Sequence, residues 1–208
     1  QIDIRHNGRR YPLKAAVMIQ SPDRLRLESI PLFGPPDLLL SADGGELRVF
    51  LPMRGAFYTG AATGANLSRF FPLALPAEET IALLMGRPPA EKLPSPSLEG
   101  AWDRGLYRLD QAAAGRKVRS LWLDPAGFLV RVQTFPDGGS MAYTAEFSEP
   151  VPVGGGQMPQ RVILTAKALT LTCRYTDLRA VEGEAEFSLP VPEGITPTPL
   201  DADRSILP

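Results

Sequence analysis

The sequence predicts a mainly β protein, built on one large, strongly curved antiparallel sheet of about twelve strands, and three observations predict it. Apolar residues recur with period two in short segments. Turn signals rich in Gly, Asp and Pro separate those segments. A helical pattern interrupts the series only once, between about residues 65 and 86.

Taken in order, Ile2, Ile4 and Arg5 read as the tail of a strand, and His6-Asn7-Gly8 reads as a turn. Strands are predicted at about 10–20, 24–30, 37–42, 46–51 and 55–60, with Asp43-Gly44-Gly45 as a hairpin signal between the third and fourth of these. In the second, Leu25 and Leu27 share one face while Arg24, Arg26 and Glu28 share the other, because strand side chains alternate. The helical pattern covers about 66–71 and 76–85; Pro76 suits a first helical turn, Glu78 and Glu79 complement the helix dipole, and Gly86 and Pro88 end it. The second helix is apolar almost all round, so it should be covered on more than one side, across or inside a curved sheet; the plainer alternative packs it on one sheet face with Leu83 exposed.

A second strand series follows at about 98–103, 106–110, 117–123, 128–134, 140–148, 159–166 and 169–179, with turns at Asp103-Arg104-Gly105, Ala114-Gly115-Arg116, Pro125-Ala126-Gly127 and Asp137-Gly138-Gly139. An alternating segment with Glu182, Glu184 and Glu186 on its wet face ends at Phe187. Residues 87–97 and 150–157 read as loops, and the proline-rich tail from 190 to 208 reads as extended or mobile. Strands continue on both sides of each loop, so residues 1–208 are expected to form a single domain.

One segment departs from ordinary turn chemistry. Turns are built from Gly, Pro, Asn, Asp and Ser, yet Pro31-Leu32-Phe33-Gly34 pins a leucine and a phenylalanine between prolines at the tip that follows the Arg24–Glu28 strand. Leu32 and Phe33 are therefore the candidate membrane contact. The formal net charge of −1 argues against a nucleic-acid partner. Residues 1–30 carry a mild basic excess, which suits either a solvated sheet face or an anionic surface. No stretch approaches the roughly 18 apolar residues that span a bilayer as a helix. The chain opens inside what reads as a strand, so a longer precursor is expected, with any export signal or lipid-attachment cysteine upstream of Gln1.

Chemistry-bearing motifs are scarce. Cys173 is a single cysteine and reads as a buried thiol; His6 is a single histidine in a turn. Neither offers partners for a metal site or a catalytic triad. The run Gly154-Gly155-Gly156 lacks the lysine and helix that phosphate binding requires. No cofactor and no metal are expected, and an enzyme reading lacks nucleophile and base. The apolar residues are the remaining signal. A curved sheet with no second sheet over it fills its concave side with helices, with its own side chains or with a ligand. The candidate cavity lining is Val17, Ile19, Leu25, Leu27, Leu40, Val49, Ile81, Leu84, Met85, Leu121, Tyr143 and Phe147. If part of it stays open, such a lining suits acyl chains, at about 0.8 kcal/mol per buried methylene.

Several segments together resemble the LolA/LolB lipoprotein-localisation superfamily, and its outer-membrane receptor branch, LolB, in particular. Pro22-Asp23-Arg24-Leu25-Arg26-Leu27 is similar to that family's basic-aliphatic strand. Pro31-Leu32-Phe33-Gly34 resembles the receptor's Pro-Leu-Gly tip, with Phe33 inserted. Leu75 to Glu79, running on to Leu84-Met85-Gly86-Arg87-Pro88, resembles the helix ending in Leu-Gly-x-Pro, and Met158 to Val162 with Leu169-Thr170-Leu171 resembles the last two strands. The resemblance implies a half-open antiparallel β-barrel with a short helical lid or plug and a cavity that takes the acyl chains of lipoproteins. It implies a monomeric, periplasm-facing lipoprotein of the bacterial outer membrane that meets a membrane surface and a periplasmic carrier protein. Leu32, with Phe33 beside it, takes the place of the membrane-inserting leucine, and Arg26 matches an arginine that holds the lid. The alternative is an interaction module of an envelope assembly, with the same fold and a filled cavity.

Overall fold

The computed structural model describes residues 1–71, 74–90, 97–135, 141–181 and 185–200. Its strands fall into two hydrogen-bonded sheets rather than one continuous meander. The first holds nine strands in the order β2-β1-β14-β13-β12-β11-β10-β9-β8, namely β1 (Ile2–His6), β2 (Arg9–Leu13), β8 (Ser97–Asp103), β9 (Leu106–Ala113), β10 (Arg116–Leu123), β11 (Leu129–Thr134), β12 (Tyr143–Val153), β13 (Gly156–Ala166) and β14 (Leu169–Arg174). The second holds six, in the order β15-β7-β6-β5-β4-β3: β3 (Ala15–Gln20), β4 (Arg24–Ser29), β5 (Leu39–Asp43), β6 (Glu46–Leu51), β7 (Ala56–Ala61) and β15 (Thr198–Pro199). Every described pairing is antiparallel except β15 on β7, and neither sheet closes on itself among the described residues. The expected class, mainly β and antiparallel with few short helices, is the one observed. These sheets centre two units, residues 1–11 with 83–180 and residues 12–82 with 181–208.

In the six-stranded unit the expected alternation sets the register. Val17, Leu27, Leu40 and Val49 lie opposite one another across β3 to β6, and so do Ile19, Leu25, Ala42 and Leu47. Leu25, Leu27, Leu40, Ala42, Leu47 and Val49 are buried, at about 1.5–3 kcal/mol for each large aliphatic side chain. The polar face carries its own row, Arg26, Ser41 and Arg48. The strand expected over 10–20 is instead two strands in different sheets, broken at Lys14, whose carbonyl accepts from Ile30 N at 2.7 Å. Helix α1 (Gly64–Leu67) is capped by Thr63, whose hydroxyl accepts from Asn66 N at 3.3 Å.

Residues 186–189, which lead into the tail, are docked on this polar row. The Ser41 hydroxyl donates to Phe187 O, Arg26 Nη1 donates to Glu186 O at 3.2 Å and Ser188 O at 2.9 Å, and Arg48 Nη1 donates to Leu189 O at 3.3 Å. Phe187 and Leu189 are buried there, and Leu200, which follows β15, is buried as well. Residues 185–190 form no strand; Glu182 and Glu184 lie outside the described residues.

Helix α2 (Ala77–Leu84) buries Ala77, Thr80, Ile81, Leu83 and Leu84, so it is covered almost all round and the alternative with an exposed Leu83 does not hold. Its end is fixed by Gly86, at φ 68°, and by the Tyr175 hydroxyl, which donates to Leu84 O at 2.8 Å.

In the nine-stranded unit the loop expected over 150–157 is a hairpin, β12 pairing with β13 through Pro150 opposite Pro159 to Val153 opposite Gly156. Prolines are accepted there because β11 pairs with β12 only as far as Glu146, which leaves the rest of β12 as an edge on that side. The turn expected at Asp137-Gly138-Gly139 lies outside the described residues.

Candidate functional site

The apolar tip joins β4 to β5. Ser29, the buried last residue of β4, holds its base: Ser29 Oγ accepts from Asp37 N at 2.8 Å and Leu38 N at 3.0 Å, while Ser29 N donates to Leu38 O at 2.9 Å. The backbone is thus fixed on either side of a loop whose tip carries Leu32, 85% exposed, and Phe33, 92% exposed. Ile30 is exposed beside them. Two large apolar side chains therefore stand side by side in solvent on a clamped base.

The predicted lining residues divide between the units. Val17, Ile19, Leu25, Leu27, Leu40, Val49 and Ile81 belong to the six-stranded unit, and Leu84, Met85, Leu121, Tyr143 and Phe147 to the nine-stranded one. All are buried except Val17, Ile19 and Met85, which are half-buried. Arg26, expected against a helical lid, instead binds Glu28 at 2.7 Å and the Glu186 and Ser188 carbonyls. Its neighbours in the cross-strand row, Ser41 and Arg48, take adjacent carbonyls of the same segment, so the contact is a clasp on residues 186–189.

An open apolar surface lies elsewhere. One face of the nine-stranded sheet carries the row Leu171, Leu164, Ala145, Val132, Leu121, Leu109 and Gly100, each opposite the next from β14 to β8. The row is buried as far as Leu121 and then emerges into solvent at Leu109. Flanking it on the same face of β8 and β9 are Leu98, Trp102 (61% exposed) and Tyr107 (52% exposed). The Trp102 and Tyr107 rings meet edge to face at 4.8 Å. A side chain at Gly100 would come near nothing but Leu109, which leaves a flat step between the aromatic pair and Leu98. Alternation indicated which residues share a face; it held no signal for where along a row the cover stops.

The opposite face is polar. Trp122 Nε1 donates to Asp103 at 2.8 Å, and Asp110 is met by the Ser120 hydroxyl and by Lys117 and Arg108, each at 3.2 Å. Burial pushes the Asp110 carboxyl up, but the Ser120 hydrogen bond and the two cations outweigh it and hold it below the usual carboxylate range. Burial also pushes the Cys173 thiol up to about 12 and raises the Tyr175 phenol, whose hydroxyl end is enclosed although the residue as a whole is half-buried. Among the described residues no cluster of three or more His, Cys, Asp or Glu could hold a metal, and no helix is long and apolar enough to cross a membrane.

No protein-family model and no curated protein match the sequence. Solved structures do match the fold. A LolA-superfamily protein from Nitrosomonas europaea aligns with a TM-score of 0.54 at 16% identity, over 85% of this chain and 82% of that one. A domain from Vibrio parahaemolyticus assigned to outer membrane lipoprotein sorting aligns at 0.55 and 14% identity, over 89% and 84%. A DUF1329-family protein from Desulfovibrio piger aligns at 0.61 and 13% identity, over 88% and 84%. The chain has the LolA/LolB-like fold. At these identities the likeness is one of fold alone.

Proposed function

We propose that residues 1–208 act as one LolA/LolB-like domain of the receptor branch. It is a non-enzymatic, acyl-chain-binding lipoprotein domain, facing the periplasm from the bacterial outer membrane, that takes part in lipoprotein localisation or transfer. The observation that carries the reading is the tip, with Leu32 and Phe33 held out on the base that Ser29 clamps. Support comes from the open strip Leu98, Trp102, Tyr107 and Leu109, on which an acyl chain would cover apolar surface, and from the fold shared with a domain assigned to lipoprotein sorting. In this reading the monomer takes a lipoprotein's acyl chains from a periplasmic carrier protein while its tip rests in the membrane. The test is a Leu32→Ser, Phe33→Ser double variant in cells depleted of the wild-type protein. Membrane association and lipoprotein delivery are both expected to be lost; retention of both overturns the reading.

A second reading, an interaction module of an envelope assembly, is favoured by one observation: β8 is an edge strand among the described residues, with an unpaired backbone beside exposed apolar side chains. A partner that adds a strand to β8 and leaves lipopeptides unbound would establish it instead.

A further inference from the structure

The tip is not the only feature at its end of the six-stranded sheet. The antiparallel registers bring the end of β4, the start of β5, the end of β6 and the start of β7 together there, with Leu39 opposite Phe50 and Leu51 opposite Ala56. Between these ends lies a groove of about 290 Å³, near the small end of the roughly 300–1,000 Å³ range of ligand pockets. Its apolar wall is Leu38, Leu51, Met53 and Phe70. Met53, on a single 3-10 turn (Pro52–Arg54), is 75% exposed, and Phe70 is set by its ring contact with Tyr58 at 5.6 Å.

The charged groups of the groove are Arg54, Arg69 and Asp37. Arg54 already has an interaction within the protein, so Arg69 carries the argument. Its Nη1 is buried and has no hydrogen-bond partner among the described residues. A cationic N–H removed from water without an acceptor is unfavourable, and an anionic oxygen in the groove would satisfy it. Guanidinium geometry matches phosphate oxygens in particular. Asp37, the single acid of the lining, is exposed, and its backbone N–H is held by Ser29.

We propose that this groove binds the headgroup of an anionic phospholipid, the phosphate on Arg69 and the start of an acyl chain against Leu38, Leu51, Met53 and Phe70. The inference rests on the reading of Leu32 and Phe33 as a membrane contact, which it deepens by naming the lipid class. Two features select the occupant: a buried guanidinium N–H with no acceptor among the described residues, and an apolar wall that begins at Leu38, on the loop that carries the tip. Inorganic phosphate would leave that wall wet, whereas an anionic lipid uses both.

The test compares flotation with vesicles of phosphatidylcholine alone and of phosphatidylcholine mixed with phosphatidylglycerol. The wild-type protein is expected to bind the mixed vesicles about fivefold more tightly at low salt. Arg69→Gln removes that preference while keeping the binding to phosphatidylcholine that depends on Leu32 and Phe33. Met53→Asp, a surface change that leaves folding intact, removes the preference as well. In parallel, methyl NMR with a water-soluble short-chain phosphatidylglycerol is expected to shift Met53 and Leu38 in the wild-type and tip-variant proteins, but not in Arg69→Gln. Such shifts without binding to any vesicle would overturn the membrane contact and leave the groove standing. A lipid preference retained in both groove variants, no shift with the short-chain lipid, or equal shifts with inorganic phosphate would overturn the groove as a lipid site.

Discussion

Ser29 shows how one buried hydroxyl fixes the base of an exposed apolar loop. Its oxygen accepts two backbone N–H groups at the base of the tip, and Ser29→Ala leaves both without that acceptor. The expected cost is about 1–3 kcal/mol, measured by chemical denaturation. Leu32 and Phe33 behave in the opposite way: their replacement by Ser is expected to leave stability within about 0.5 kcal/mol, because neither is packed. Membrane affinity falls by about tenfold or more for each, since a Leu or Phe side chain is worth about 1.5–3 kcal/mol when buried. Cys173 makes a prediction with a sign. Its thiol stays protonated in the folded protein up to about 12, while the unfolded chain loses that proton near 8.5, so stability falls as pH rises through this window. The slope this group contributes approaches about 1.4 kcal/mol per pH unit, and Cys173→Ser removes it from the pH dependence of unfolding. A stability unchanged between neutral and alkaline pH, after correction for other groups, would contradict this. At this scale the tip was legible because prolines and aromatics break turn rules locally. The partners of Arg26 were not, because Glu186 and Ser188 are about 160 positions away in sequence.

Elements held their type where period and punctuation agreed. α2 was readable from Pro76, the paired glutamates and Gly86, and its real end depends on two contacts. A Cβ at Gly86 would sit 2.5 Å from Pro159 Cδ, at a φ that L residues enter at a cost of roughly 1–2 kcal/mol, so Gly86→Ala is expected to be the more damaging change. Tyr175→Phe takes one hydrogen bond from Leu84 O and is expected to cost about 1 kcal/mol, or roughly 2–4 °C in thermal midpoint for a chain of this size. A calorimetric scan of both variants checks the order. The β12–β13 hairpin was hidden by its prolines, which forbid a central strand but not an edge, and edges are defined by neighbours distant in sequence. The docking of residues 186–189 was hidden for a related reason: their carbonyls make the clasp with Arg26, Ser41 and Arg48, and carbonyls leave no mark in a sequence.

For the whole molecule, alternation predicted a mainly antiparallel β chain and which residues share a face, but not the division of the strands between two sheets. Most of the residues it picked out as a lining are buried, with Val17, Ile19 and Met85 half-buried. In the row from Leu171 to Leu109 every member alternates correctly, and exposure alone, rising from Leu121 to Leu109, separates a core position from an open one. The central claim is that this open face accepts acyl chains. Native mass spectrometry of the wild-type protein with a triacylated lipopeptide, and with the same peptide deacylated, tests it most directly, alongside a Trp102→Ser, Tyr107→Ser variant. The account predicts a one-to-one adduct with the acylated peptide alone, weakened about tenfold or more in the variant by loss of apolar contact. No adduct with the acylated peptide, or equal adducts with both peptides, would contradict it.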